Sequence, residues 1–331
     1  MISVIIHCYN SEKTIIKAIS SLENTSFSDY EIIVVNDGSK DKSSELIKQY
    51  QSNHPNIVLV EKLNEGVVKA VTAGIKKAKG DAITFLDSDD YVNKDYLANI
   101  ASLYAGFDVL ALGHRLVNED GKEISEVLKT DEAYIGKAEV HKLINKLYFD
   151  NHSFSAFKYV SIYRWSTIIS KEIADNIVDI YERENFTLYE DMCFNMLAIA
   201  NATKVKISSY VGVNYVQMNH SHSSNHESSY KDLLALRKHI HSFLDYYCKT
   251  YGLSPDIFST VDFDVSKFYF SRYLRSHNFK DAKSFFKELK HDKDYQSQRK
   301  LVDISGEPLM RKVYYYFLRF NGFLSIYFYF K

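Results

Sequence analysis

Ala82-Ile83-Thr84-Phe85-Leu86-Asp87-Ser88-Asp89-Asp90-Tyr91 (AITFLDSDDY) runs five mostly apolar residues straight into three carboxylates. The apolar run predicts a buried strand over Ala82–Leu86. Carboxylates that close repel one another, so the strand end calls for a cation among them.

Working outward, Val67–Lys79 has helical spacing and is followed by Gly80, where a helix C-terminus expects glycine. Before it, Ile57–Glu61 reads as a strand, Ser43–Gln51 as a helix and Glu31–Val35 as a strand ending at Asn36-Asp37-Gly38-Ser39. Ile15, Ile16, Ile19 and Leu22 form one stripe of a helix over Ser11–Leu22, with Ser11 as its cap, and Ile2–His7 is the first strand. Continuous apolar strands alternating with helices predict parallel βαβ units. Ligands of such sheets bind beyond the carboxyl ends of the strands. Tyr9-Asn10, Asp37-Gly38 and Asp87-Ser88-Asp89 all sit at such ends and should meet in one crevice. Downstream, Val109–Val117 reads as a strand, Glu139–Ala174 as mostly helical, Asp191–Ala200 as a helix and Val205–Tyr215 as one or two strands. After His226 the composition turns helical, lysine-rich and aromatic.

The 331 residues allow one large domain with an appendage, and the 46% hydrophobic and 25% charged content is that of a globular chain. A net charge of −1 gives no bulk field for nucleic acid. Cys8, Cys193 and Cys248 lie far apart without pairing or metal spacing, which points to reduced thiols in the cytoplasm. The start, MISVIIHCYN, has neither a basic leader nor a cleavage site, so no signal peptide is expected.

The Gly-x-Gly-x-x-Gly and phosphate-loop signatures are absent, which argues against nicotinamide and P-loop chemistry. Asp37-Gly38-Ser39 can accept a hydrogen bond from a base or ribose, or be a plain turn. Asp87-Ser88-Asp89 offers the hard oxygen ligands that Mg²⁺ or Mn²⁺ takes alongside substrate phosphates, or marks a helix start. Glu190-Asp191 opens a helix and is read either as a cap or as a general base, which must be ionised near neutral pH and close to the attacking hydroxyl.

Together SVIIHCYNSEKTIIKAISSL, EIIVVNDGSKDKS, NEGVVKAVTAGIKKAKGDAITFLDSDDYV, WSTIISK and NFTLYEDMCFNMLA resemble the family 2 glycosyltransferases, over about the first two thirds of the chain. The resemblance implies the GT-A fold, a mostly parallel nucleotide-binding sheet flanked by helices. It sets a catalytic domain at 1–225, with a nucleotide-sugar half (1–110) and an acceptor half (111–225), and a helical, aromatic-rich region at 226–331. It implies a cytoplasmic inverting transferase, moving a hexosyl or N-acetylhexosaminyl group from a UDP-sugar to a saccharide or lipid-linked saccharide in surface-polysaccharide synthesis. By the same resemblance Asp37 binds uracil, Asp87 the ribose side and Asp89 the Mn²⁺ or Mg²⁺ that bridges the diphosphate. Asp191 is the base, Glu190 shapes the acceptor site, and Tyr9, Gly66 and Trp165 complete the substrate pocket. A sugar-nucleotide pyrophosphorylase would want a glycine-rich basic loop where YNSEKT stands. A catalytically impaired nucleotide-sugar binder or scaffold of the same fold is the other alternative.

Three departures stand out. His7 replaces a common Pro, Ala70-Val71-Thr72 replaces Ala-Arg-Asn, and Tyr215-Val216-Gln217 stands where many members have Arg. The resemblance thus lacks its basic residue near the diphosphate, for which Lys62, Lys69, His220 and His222 are candidates. Beyond the resemblance, the basic-aromatic stretch from Arg311 suits a membrane surface, a homodimer contact or packing on the catalytic domain.

Overall fold

The computed structural model describes residues 1–127, 130–148, 163–186, 188–217, 229–253, 265–266, 269–270, 273–274 and 277–298. The first strands follow the predicted order: β1 (Ile2–Cys8), β2 (Tyr30–Asp37), β3 (Ile57–Lys62) and β4 (Ala82–Asp87). Helices α1 (Ile15–Glu23), α2 (Ser43–Gln51) and α3 (Val67–Lys77) connect them. A nine-residue helix is marginal in water. α1 is held by Ile15, Ala18, Ile19 and Leu22, each at most 1% exposed. The larger of these side chains contribute roughly 1.5–3 kcal/mol apiece.

β3, β2, β1 and β4 lie side by side and parallel. β1 lies between β2 and β4, so strand order reverses there and a crevice opens beyond the carboxyl ends. After β5 (Tyr91–Val92) and α4 (Tyr96–Tyr104), the sheet continues through β6 (Val109–Asn118), β7 (Glu123–Val127) and β8 (Glu132–Ile135). Next come α5 (Lys137–Tyr148), β9 (Thr167–Ser170), α6 (Lys171–Glu184), α7 (Glu190–Asn201) and β10 (Lys204–Gln217). The order across the sheet is β3-β2-β1-β4-β9-β6-β10-β5, with β7 on β6 and β8 on β10. β9 runs antiparallel to both β4 and β6. The described residues therefore carry the expected mostly parallel α/β architecture.

Three local expectations are corrected. Thr167–Ser170 is a strand within the stretch read as helical, because its β-branched and apolar residues fill the gap between β4 and β6. Gly80 does not close α3, whose terminal position is taken by Ala78 in extended backbone. A Cβ at Gly80 would lie 2.7 Å from the Met1 carbonyl and the Ser3 nitrogen, so glycine is there for close backbone approach. The Ser11 hydroxyl caps no helix and is shared with the Tyr9 carbonyl and the Ser88 hydroxyl.

The chain divides into two compact units, Met1–Ile144 with Ala156–Met218 and Asn145–Ser155 with Asn219–Lys331. In the second, α8 (Tyr230–Tyr251) starts with a capping box between Ser229 and Asp232, and α9 (Phe279–His291) starts at Asn278, whose side chain accepts from the Asp281 N–H. A short α10 (Lys293–Gln298) follows. Asp292 is buried against Arg237 Nη1 at 2.6 Å and also accepts from the Tyr230 hydroxyl at 2.7 Å. Among the described residues no helix is long and apolar enough to cross a membrane. The stretch from Arg311 lies outside the described residues.

Candidate active site

At the crevice the loops after β1 and β2 are tied together. Asn10, at φ +52°, donates its N–H to the Ser39 hydroxyl at 3.0 Å and accepts from the Lys40 N–H at 2.8 Å. Tyr9, 36% exposed, stands on the rim.

Asp37, at the end of β2, is nearly enclosed. One oxygen accepts from Lys62 Nζ (2.7 Å) and the Glu65 N–H (3.0 Å), and the other from the Gly66 N–H (2.9 Å). Gly66 sits at φ +92° immediately before α3, so Asp37 sets where that helix begins. Lys62 also pairs with Glu65 at 2.9 Å, and Lys69 pairs with the same Glu65 at 2.9 Å. Both predicted diphosphate lysines are thus already engaged. His220 and His222 lie outside the described residues.

The β4 end gathers the acids. His7 is the register partner of Asp87, with its Nδ1 3.5 Å from a carboxylate oxygen. Burial and the nearby Arg164 charge lower the His7 pKa to about 4, so the ring is neutral at pH 7. Asp87, Asp89 and Asp90 each offer an oxygen within 4.8 Å of the others. Asp90 is 1% exposed; its Oδ1 accepts from the Val216 N–H at 2.8 Å, and its Oδ2 has no partner among the described residues. An orphaned buried carboxylate oxygen beside two further carboxylates fits a hard divalent cation. Burial pushes the Asp87 carboxyl well above its usual range, and the Asp191 and Asp89 charges push the same way.

Glu190 and Asp191 form the first turn of α7. Tyr189, just before them, holds φ +66°, an uncommon conformation for an aromatic side chain that aims the turn. Burial and the adjacent Asp191 raise Glu190 to about 7. Burial also raises Asp191, against the pull of Arg164. Arg164 is 2% exposed, with Nη1 2.5 Å from Asp191 Oδ1 and donating to the Tyr181 hydroxyl at 2.9 Å. Trp165 is 1% exposed, and its ring stacks on Tyr163 at 4.9 Å and Tyr215 at 5.6 Å, so it supports the site from within the core.

The structure thus groups Asp87, Asp89, Glu190 and Asp191 electrostatically, and holds Asp37 and Gly66 together at the neighbouring strand end. Sequence reasoning missed Arg164, an isolated cation in the run Tyr163-Arg164-Trp165, and, though it counted Asp90 among the three clustered carboxylates, gave that residue no role. A cation between aromatic residues ahead of an apolar strand was the available signal for Arg164.

The family model described as Glycosyl transferase family 2 matches residues 3–165. An uncharacterized glycosyltransferase, EpsJ, of Bacillus subtilis (strain 168) is 27% identical over 209 residues, 62% of this chain and 58% of that one. Poly(ribitol-phosphate) beta-N-acetylglucosaminyltransferase TarS of Staphylococcus aureus (strain MW2) is 30% identical over 212 residues, 62% of this chain and 34% of that one. The matches therefore span 58% and 34% of these relatives' lengths. Among solved structures, S. aureus TarS 1-349 in complex with UDP-GlcNAc has a TM-score of 0.63 at 19% identity, over 99% of this chain and 90% of that one. The mannosyltransferase PcManGT from Pyrobaculum calidifontis, in complex with GDP-Man and Mn²⁺, has a TM-score of 0.52 at 12% identity, over 99% and 84%. At these identities the structural likenesses speak to the fold.

Proposed function

The chain belongs to the family 2 glycosyltransferases, with the GT-A fold, and on that premise we propose a metal-dependent, inverting enzyme that moves a sugar from a UDP-sugar to a saccharide hydroxyl. Capsule, exopolysaccharide or another cell-surface glycan is the proposed product. The observation that carries the reading is the Glu190-Asp191 pair in electrostatic reach of Asp87, itself clustered with Asp89 and Asp90.

The roles follow from chemistry. A carboxylate has about four acceptor sites. The loop donors fill three on Asp37, leaving one for the uracil N–H, with Tyr9 and Gly66 beside it. Asp87 serves the ribose side. Asp89, with Asp87 and Asp90 beside it, would hold Mn²⁺ or Mg²⁺, which when bound offsets negative charge on the diphosphate. Trp165 supports the substrate wall rather than lining it. The acceptor oxygen bonds to the anomeric carbon as the bond from that carbon to the β-phosphate oxygen breaks. The bonding pair leaves with UDP, the proton passes to Asp191, and configuration inverts. Glu190 shapes the acceptor side. Residues 1–225 are the proposed catalytic domain.

Calorimetry with UDP tests the donor site. Binding should require Mn²⁺ and should be lost in Asp89→Ala. Equal affinity in chelator and in the variant would sink the reading.

A further inference from the structure

We propose that Arg164 is the positioning residue for the general base, fixing the Asp191 carboxyl in place while the side chain stays part-exposed. This deepens the reading of Asp191 as base and rests on it.

Asp191 Oδ1 has no exposed surface and lies 2.5 Å from Arg164 Nη1, yet the Asp191 side chain as a whole is 21% exposed. That exposure therefore belongs to the part of the side chain turned away from the guanidinium. Arg164 itself is fixed from several directions. Nη1 also donates to the Tyr181 hydroxyl on α6, and the guanidinium carbon lies 5.3 Å from the Phe85 ring centre and 6.0 Å from that of Phe194. Its Nε has no hydrogen-bond partner among the described residues. Side-chain and main-chain groups of Arg164 both draw on the Asp191 carboxyl, so a single residue, itself held in place, anchors it. A pair that served only to neutralise a buried charge would have no reason to keep one member at the surface.

Asp191 is faced by Arg164 and Tyr163 from the turn before β9, by Tyr181 from α6, by Asp87 from the end of β4, and by Glu190 and Cys193 on its own helix. Arg164 is the cation in that set. It keeps Asp191 ionised and aimed while the acceptor oxygen bonds to the anomeric carbon, the UDP oxygen departs with the bonding pair and the proton moves to Asp191.

The test uses the full chain with Mn²⁺, measuring UDP release to water from UDP-glucose, UDP-galactose and UDP-N-acetylglucosamine. Wild type is compared with Asp191→Asn, Arg164→Met and Arg164→Lys. Arg164→Met should lower kcat about tenfold to a hundredfold, the cost of a misaimed group, with donor KM and calorimetric UDP affinity unchanged. A base acts deprotonated, so losing the cation should also move the acid limb of kcat upward by about one to three pH units. Arg164→Lys should recover part of the rate, since it keeps the charge but offers one ammonium to two partners. Undiminished rate in Arg164→Met, an unmoved acid limb, or a matching loss of UDP affinity overturns the inference. If Arg164→Met does not fold, Arg164→Lys decides, and wild-type kcat there overturns it. Loss of rate in Asp191→Asn but not in the arginine variants removes only the positioning role. Full rate in Asp191→Asn, or no UDP release by wild type, removes the base reading and this inference together.

Discussion

Glu190 and Asp191 are adjacent carboxylates at one helix start, and their environments separate their work. Both are raised by burial, but Asp191 touches the Arg164 guanidinium, whereas Glu190 feels that charge only at a distance and, with the like charge of Asp191 beside it, is brought to about 7. The two titrate as a unit, so the rate should fall as pH drops through neutrality, where the pair takes up a proton. Removing the like charge in Glu190→Gln lowers the pKa left on Asp191. The acid limb of kcat should then move to lower pH, read from rate profiles of the two proteins; a limb that stays put or rises contradicts the coupling. Asp191→Asn should cost about 10²–10⁴-fold in rate while UDP affinity holds, because an amide is close to the carboxylate in size but cannot take the proton. A variant with more than about a tenth of wild-type rate would exclude Asp191 as base. The acidic motifs were legible because carboxylates this dense have few purposes. Arg164 was not, since a lone arginine in an apolar run shows its partner only after the chain brings residue 191 beside residue 164.

At the level of elements, Asp37 ties the end of β2 to the start of α3. Asp37→Ala would strip three donors of their acceptor, two of them backbone N–H groups. An unmet buried donor costs about 1–3 kcal/mol. Thermal midpoint and UDP affinity should therefore drop together, in scanning calorimetry and titration respectively. Lost affinity at an unchanged midpoint would mean that Asp37 touches only the nucleotide. The parallel strands of the first half were readable because both faces are covered and their apolar runs are continuous. Thr167–Ser170 was not, because four residues are too few for periodicity to choose between helix and strand. Its assignment depends on two edges, β4 and β6, contributed by residues far away in sequence. Gly80 misled for a related reason: a glycine past a helix reads as a cap until the Met1 and Ser3 backbone is seen against it.

Across the whole molecule, every site residue the structure describes belongs to the first compact unit. Hydrogen exchange with and without Mn²⁺ and UDP should therefore show new protection at the ends of β1, β2 and β4 and at the start of α3. Helices α8 and α9 should exchange as before. Protection centred on those helices would move the nucleotide site elsewhere.

The contact between Asp90 and the Val216 N–H joins positions 126 residues apart, and this has a bearing on synthesis. A nascent chain that has emerged only to residue 110 already carries Asp87, Asp89 and Asp90, but not Arg164, Val216 or the strand that covers the open edge of β4. Such an intermediate has clustered negative charge at one strand end and unpaired backbone groups along a hydrophobic edge, a combination that invites chaperones or misassociation. Ribosome-stalled chains that have emerged to about residues 110 and 240 should thus differ in protease resistance, the longer resisting and the shorter not; equal resistance would show that the first half folds unaided. The first strands are written early in the chain, but their last stabilising pieces are translated only within residues 111–225.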